Sequence, residues 1–310
     1  MYGPTWGASA PAKVILLGEH AVVFGKPAVS VAIGLRLRCR IRLAAVPSLN
    51  GIQLGPQNYS YVSACLAKRN APPTAVLTDS DFPSGSGLGS SAAVTVALLA
   101  ALAASTGSFK EDVVAREAFE VECDVQGRAS PIDTSTCTHG KGILVSRERE
   151  SSLLWEMSKD TRRWCVHDLP VPKMTLVVGF TGKSKPTGPL VAKVKRYVDH
   201  STFARDMVDE IGEVTMEGVR HMSKGDLEGL GRMMTKDHKL LAILGVSTRE
   251  LDKLVSSVLP YSYGAKLTGA GGGGSMVALT DRPEEVVDII RRKGGQPFTA
   301  ETGVPGVKID

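Results

Sequence analysis

Apolar residues fall along this chain in runs whose spacing changes from strand to helix. Val14-Ile15-Leu16-Leu17 is a short unbroken run of strand length, and it ends in Gly18-Glu19-His20, a polar turn suited to facing a ligand. Residues 28–33 and 35–43 predict two more strands. In the second, Leu35, Leu37, Cys39, Ile41 and Leu43 alternate with Arg36, Arg38, Arg40 and Arg42. A period of two with one charged face describes a half-solvated antiparallel strand, so the arginine row reads as a wet sheet face ahead of a nucleic-acid surface. Residues 47–73, rich in Pro, Gly, Asn and Ser, predict a loop-rich connection with a short helix over 59–68. The apolar stretch 92–104 predicts a buried helix closed by Ser105-Thr106-Gly107. Ser108-Phe109-Lys110-Glu111 then reads as a capping box that opens a helix running to about Asp124. Residues 126–138 predict a polar loop containing Asp133, and 142–145 a strand.

Between residues 146 and 168 charge density rises and periodicity fades, which predicts a division into two units, 1–165 and 166–310. The pattern then restarts with a strand over 174–180, a Gly/Pro/Lys-rich loop over 181–189 and helices over 190–200, 203–222, 227–244 and 248–258. Strands over 265–268 and 275–279 flank a second glycine cluster, and 283–293 reads as an amphipathic helix. Strict β-α-β alternation is missing, so the fold class is α+β and not doubly wound. A length of 310 residues exceeds the usual span of one core and agrees with two domains.

Composition narrows the function classes. Apolar content of 43% and charged content of 22% are those of an ordinary globular protein. The net charge of +5 is spread along the chain and aromatics are only 5%, which suits an anionic small molecule better than a nucleic-acid groove. Five widely spaced cysteines, with no C-x-x-C pair, indicate neither a disulfide framework nor a zinc site, and point to a reducing cytoplasm. The N-terminus lacks a charged region ahead of an apolar run, and 92–104 is too short to cross a bilayer, so neither export nor membrane insertion is expected.

The stretch that carries chemistry is Pro83-Ser84-Gly85-Ser86-Gly87-Leu88-Gly89-Ser90-Ser91, which runs straight into the buried helix. Glycines at alternate positions allow positive φ and close approach of a ligand, and the serines stand where a helix begins. Free amides and roughly half a positive charge at a helix start make a site for phosphate. A nucleotide polyphosphate is the expected cargo. The loop lacks the lysine of a G-x-x-x-x-G-K-[ST] motif and reads G-x-G-x-G where a dinucleotide site needs G-x-G-x-x-G. Taken alone, it could also be a flexible turn ahead of a buried helix.

Three blocks in fixed order make the pattern specific: Pro11-Ala12-Lys13-Val14-Ile15-Leu16-Leu17-Gly18-Glu19-His20-Ala21-Val22-Val23, the glycine loop continued to Ala93, and Lys266-Leu267-Thr268-Gly269-Ala270-Gly271-Gly272-Gly273-Gly274. Together they resemble the GHMP kinases over nearly the whole length, and Gly-Glu-His-Ala-Val-Val resembles those members that phosphorylate mevalonate. The resemblance implies an N-terminal domain like ribosomal protein S5 domain 2 and a C-terminal ferredoxin-like domain, with the active site between them. It implies transfer of a phosphoryl group from ATP, with Mg²⁺, to the primary (C5) hydroxyl of mevalonate in isoprenoid biosynthesis, by a cytoplasmic homodimer with no nucleic-acid or membrane partner. Phosphomevalonate or homoserine is the alternative acceptor. A non-enzymatic nucleotide- or nucleic-acid-binding module is the rival of another class.

The resemblance also implies roles. Residues 83–91 would cradle the ATP phosphates, with Ser91 and Glu122 on the metal and Ser90 as the alternative register. Asp133 would accept the substrate hydroxyl proton, and Lys13 would hold Asp133 as the carboxylate and ease the developing alkoxide. Glu19, His20, Thr187, Gly271 and Gly272 would stand on the substrate side, Thr187 also near the phosphates. From the residues alone, Glu122 could be a solvated helix residue, Asp133 an Asx-turn, His20 a structural histidine, Lys13 a surface charge and Thr187 a helix cap. The family's usual Ser-Gly-x-Asp-Asn is here Ser130-Pro131-Ile132-Asp133-Thr134, which keeps the aspartate but changes the backbone leading to it.

Overall fold

A computed structural model describes residues 4–55, 58–127, 129–184 and 187–310. In chain order the first half contains β1 (Trp6–Leu17), β2 (Ala28–Leu43), β3 (Ser48–Leu49), β4 (Ile52–Gln53), α1 (Ser60–Lys68), β5 (Thr74–Ser80), α2 (Ser90–Ser105), α3 (Glu111–Gln126), α4 (Ile132–His139), β6 (Gly142–Ser146), β7 (Leu153–Lys159) and β8 (Arg162–Leu169). The second half contains β9 (Thr175–Phe180), α5 (Thr187–His200), α6 (Thr202–Ser223), α7 (Leu227–Ile243), α8 (Arg249–Val258), β10 (Gly264–Thr268), β11 (Ser275–Leu279), α9 (Pro283–Arg292), β12 (Gln296–Glu301) and β13 (Lys308–Ile309).

The first sheet has the order β4-β3-β5-β2-β6-β8-β7, and β1 joins it through β2 while pairing with β13 from the far end of the chain. Its pairings are antiparallel except that of β3 with β5. The second sheet, β10-β11-β9-β12, belongs to a β-α-β-β-α-β succession whose first strand lies between the third and the fourth. That arrangement is ferredoxin-like. Helix α2 explains why the first half holds together: it is apolar on every side, and eleven of its sixteen residues are buried. One apolar core runs from α2 and β1 into α7, β10 and β11. A second lies between α3 and the strands β6, β7 and β8, where Phe119 meets Trp164 edge-on at 5.6 Å.

The arginine strand keeps the expected period. Leu37, Cys39 and Ile41 are buried while Arg38, Arg40 and Arg42 are exposed. Arg36 is drawn inward, its guanidinium donating to Ser9 O, Pro305 O and Gly306 O, and Arg38 pairs with Asp81 at 2.8 Å.

Several elements differ from expectation. β1 starts at Trp6, well ahead of Val14, because its Gly/Ala/Ser positions are small and lie sealed between β2 and the helices. β2 is continuous through Gly34, with a register shift against β1 between Pro11 and Ala12. A short hairpin turns at Asn50-Gly51, both at positive φ, inside the segment expected to be loop. β7 and β8 occupy the charged 146–168 stretch, their outward side chains forming pairs such as Arg163 with Glu156 at 2.7 Å. Residues 165 and 166, the expected division, lie within β8. The capping box is not formed: Lys110 takes the N-cap position of α3 without a side-chain bond, while the Ser108 hydroxyl donates to Ala103 O.

The largest difference concerns the segment that carries Asp133. Residues 132–139 form α4, not a loop. Its threonines, poor helix formers, turn inward and return their hydroxyl protons to the helix, Thr136 to Ile132 O at 2.6 Å and Thr138 to Thr134 O at 2.8 Å. Pro131, at φ −75°, stands at the start, where a missing amide costs nothing, and its carbonyl accepts the first helical bond from Ser135. At the other end His139 lies between Asp168 at 2.7 Å and Glu111 at 3.1 Å. Burial pulls its pKa down, but the two carboxylates outweigh that and raise it.

Candidate active site

The glycine loop takes the conformation its spacing allows. Gly85, Gly87 and Gly89 have φ of +72°, +82° and +79°. A Cβ at Gly87 would stand 3.0 Å from Thr268 O, and one at Gly89 2.8 Å from Lys13 Cε, so these positions are reserved for glycine by backbone and neighbour alike. Leu88 is fully buried and pins the loop from beneath, while the Ser86 hydroxyl donates to Pro83 O at 2.7 Å and Ser84 is exposed. Gly89 is the N-cap of α2 and offers no side chain, which leaves the first amides of the helix without a side-chain cap.

The two serines part company. Ser90 Oγ accepts the Gly85 amide at 3.3 Å and closes the loop on itself, whereas Ser91 Oγ donates to Glu122 Oε1 at 3.4 Å. Glu122 sits on the apolar stripe of α3 with Ala115 and Phe119, and is 3% exposed. Its pKa is pushed up to about 8, first by burial and then by Asp133, against the pull of Lys13. Gln126, one turn on, donates to Glu122 Oε1 at 3.2 Å and to the Tyr61 hydroxyl at 2.8 Å.

Lys13, in the interior of β1, is 1% exposed and reaches Asp133 Oδ1 at 2.8 Å. Its backbone amide donates to Leu88 O at 3.0 Å, so one residue ties β1 to the glycine loop and to the first turn of α4. Lys13, Glu122, Asp133 and the glycine loop line one cavity of about 690 Å³, whose apolar wall includes Ile15, Val22 and Val191. The oxygens of Ser91 and Glu122, with Asp133 beyond, are the hard donors a small divalent cation takes, and such a cation would supply the positive charge that two neighbouring carboxylates call for. The residues therefore fit a metal-bound polyphosphate.

The second glycine cluster lines the same cavity. Gly269, Gly271, Gly272, Gly273 and Gly274 all have positive φ, and a Cβ at Gly271 would stand 2.3 Å from Val246 O. The two glycine turns touch: Ser275 Oγ donates to Ser86 O at 2.7 Å, and a Cβ on Gly269 would come 3.1 Å from Gly87 O. Gly271 lines the cavity, whereas the Gly272 amide is taken by Val246 O at 2.7 Å. On the expected substrate side, His20 Nε2 is 2.9 Å from Ala270 O, which can only accept, so that nitrogen carries the proton. Burial lowers its pKa and keeps the ring neutral. Glu19 also lines the cavity; it is 1% exposed and its Oε1 pairs with Lys266 Nζ. The Thr187 side chain lies outside the described residues, while its neighbours Gly188 and Pro189 line the cavity.

The family model for the GHMP kinases N terminal domain matches residues 58–141, and that for GHMP kinases C terminal matches 216–296. The mevalonate kinase of Pyrococcus furiosus is 35% identical, over 98% of this chain and 98% of its own length. The chain is a GHMP kinase. The mevalonate kinase of Methanothermobacter thermautotrophicus is likewise 35% identical, over 97% of this chain and 98% of that one. Among solved structures, L. major mevalonate kinase in complex with R-mevalonate superposes with a TM-score of 0.80 at 25% identity, covering 96% of this chain and 95% of that one. With the family comes its two-part fold and an ATP-dependent reaction that generally uses a divalent metal. Among the described residues of this GHMP kinase, no helix is long and apolar enough to cross a membrane.

Asp237 and Lys266, both fully buried, were given no role from sequence, nor were Tyr61 and Gln126. A signal for the first existed: Asp237 falls on the stripe Leu230, Met234, Leu241 of α7, where a charge has no reason to be unless it is paired.

Proposed function

We propose that this GHMP kinase transfers the γ-phosphoryl group of ATP to the primary (C5) hydroxyl of mevalonate, giving 5-phosphomevalonate and ADP. Its full-length kinship with mevalonate kinases supports the substrate. The observation that carries the chemistry is the Lys13–Asp133 pair at 2.8 Å, in one cavity with Glu122 and the uncapped start of α2.

Phosphoryl transfer asks the protein chiefly for position and charge. In this reading the amides of residues 85–91 hold the polyphosphate at the positive end of α2. Asp133 takes the proton of the attacking hydroxyl as its oxygen bonds to the γ-phosphorus, and the bond to the β-bridging oxygen breaks to release ADP. Lys13 stabilises negative charge on the attacking oxygen and keeps Asp133 aimed at it. Ser91 and Glu122 would hold Mg²⁺, which when bound neutralises charge on the β- and γ-phosphates. In this reading residues 1–165 carry the nucleotide and 166–310 close the cavity with their glycine turn. We also infer a homodimer, checked by analytical sedimentation, and a cytoplasmic setting, which five buried and unbridged cysteines support.

The test is ADP release from ATP with mevalonate, phosphomevalonate and homoserine in turn, with and without magnesium. Fastest turnover of mevalonate, and only with the metal, is expected; faster turnover of phosphomevalonate rejects the substrate. For the metal role, Glu122→Gln is expected to raise the Mg²⁺ concentration for half-maximal rate about tenfold or more, as loss of a ligand charge does. An unchanged magnesium titration would remove Glu122 from the metal.

A further inference from the structure

The turn between β1 and β2 is held to the second half of the chain at three consecutive residues. The Gly18 amide donates to Asp237 Oδ2 at 3.4 Å, the Glu19 carboxylate pairs with Lys266 Nζ, and His20 Nε2 donates to Ala270 O at 2.9 Å. Lys266 Nζ also stands 3.3 Å from Asp237 Oδ2 and donates to Leu267 O at 2.8 Å. The turn needs such fastening. Gly18 has φ +96° with its hydrogen against Pro27 O, and His20, which is not glycine, has φ +62°. Backbone held this far from its preferred regions persists only when its surroundings determine it.

The fastening has an odd charge balance. Glu19, Asp237 and Lys266 are each at most 1% exposed, so two carboxyls share one ammonium away from water. Glu19 Oε2 and Asp237 Oδ1 are buried with no hydrogen-bond partner. A low-dielectric site does not tolerate the surplus negative charge, and retaining one proton on the carboxyl pair removes it. Burial accordingly raises the pKa of Glu19, to about 8, and that of Asp237. The flanking titratable groups are His20 and His238, and burial lowers the pKa of both. His238 Nδ1 accepts the Leu267 amide at 3.2 Å, and its Nε2 stands 3.3 Å from Asp252.

Resting on the mevalonate reading above, we propose that Asp237 and Lys266 are positioning residues for the alcohol substrate, which with Glu19 form a proton-holding lock that fixes the Gly18-Glu19-His20 turn and sets His20 against the cavity. Neither touches the substrate. Their effect passes through the turn, on binding of the alcohol and not on the nucleotide side. While the pair keeps its proton the cluster is neutral and closed. When the proton leaves, a buried negative charge is uncovered and the turn loosens.

The deciding variant is Asp237→Asn. It keeps an oxygen for the Gly18 amide but leaves one carboxylate for one ammonium, so no proton has to be held. In the native protein kcat/KM for mevalonate is expected to fall about tenfold per pH unit above roughly pH 8, the free-enzyme signature of one lost proton, while KM for ATP stays level. Asp237→Asn is expected to lack that limb, whatever its rate at pH 7. Asp237→Leu, which drops the Gly18 bond, is expected to raise KM for mevalonate about tenfold at every pH with KM for ATP little changed. The second readout needs no turnover: hydrogen exchange of the peptide spanning residues 14–24, corrected for intrinsic rate, should lose protection between pH 7 and 9.5 in the native protein and not in Asp237→Asn. An alkaline limb retained in Asp237→Asn, or identical exchange in the two proteins, overturns the lock. Normal exchange behaviour with no mevalonate turnover would instead sink the functional reading and leave the lock standing.

Discussion

Asp133→Asn is expected to lower kcat with mevalonate by about 10²–10⁴, the range that a positioned general base contributes, while ATP still binds. The amide is nearly the same size and can still accept from Lys13, so the fold should survive: α4 is anchored by Pro131, by its own threonine hydroxyls and by the Trp155 indole donating to Ser135 Oγ at 3.1 Å. What it cannot do is take a proton. In the proposed reading the nucleotide is held by the amides of the glycine loop and the start of α2, not by α4, so ATP affinity measured by calorimetry should stay within about threefold of native, less than 1 kcal/mol. Turnover within a few fold of native would remove Asp133 as the base. A loss of ATP affinity matching the loss of rate would show that the residue organises the cavity instead.

Much of the fold was legible because it follows simple periods. The alternation in β2, the all-round apolar α2 and the amphipathic α9 each state their burial in the sequence. The elements that escaped are those in which tertiary surroundings override local preference. β1 between Trp6 and Lys13 is built of small residues that no strand propensity favours, yet it is the most enclosed stretch of its sheet. α4 reads Ile-Asp-Thr-Ser-Thr-Cys-Thr-His, which resembles a polar loop until the burial of every threonine hydroxyl is known. β7 and β8 look like a linker because their charges pair across strands, and that pairing is invisible along the chain.

The site divides in the same way. Backbone requirements were readable: the alternate glycines of the 83–91 loop and the five glycines of the run 269–274 take positive φ, which glycine alone adopts without strain. Ser91, Glu122, Asp133 and Lys13 gather in one cavity as the family resemblance implied. Glu19 lines the cavity as well, but its carboxylate is shared with a lysine 247 positions away in sequence. Separation of that size is why Asp237 and Lys266 were missed. A buried ion cluster is defined by residues from three elements, and each looks unremarkable on its own.

Lys13→Met is the second change with a large expected effect. Lys13 is the ammonium that contacts Asp133, and its stem passes so close to Gly89 that a Cβ there would sit 2.9 Å from Cγ. Methionine matches the stem in length and flexibility, fills the same channel and leaves the β1 amide bond to Leu88 O in place, so packing is largely kept. In the proposed mechanism this removes the positive charge at the point where the substrate oxygen becomes negative. Loss of one such preorganised donor costs about 10²–10³ in kcat, roughly 3–4 kcal/mol. Some stability should go as well, because Asp133 and the buried Glu122 then face each other without a counter-charge. Asp133 is 26% exposed, and water offsets part of that penalty. Arginine is not expected to restore the rate, since its planar fork needs width where Gly89 leaves only room for a methylene chain. The measurements are kcat with saturating ATP and mevalonate, and the thermal midpoint of unfolding. If Lys13→Met unfolds at a lower temperature but turns over within about tenfold of native, less than half the barrier change expected of a lost charge, the lysine is a structural strut and the alkoxide must find its counter-charge elsewhere.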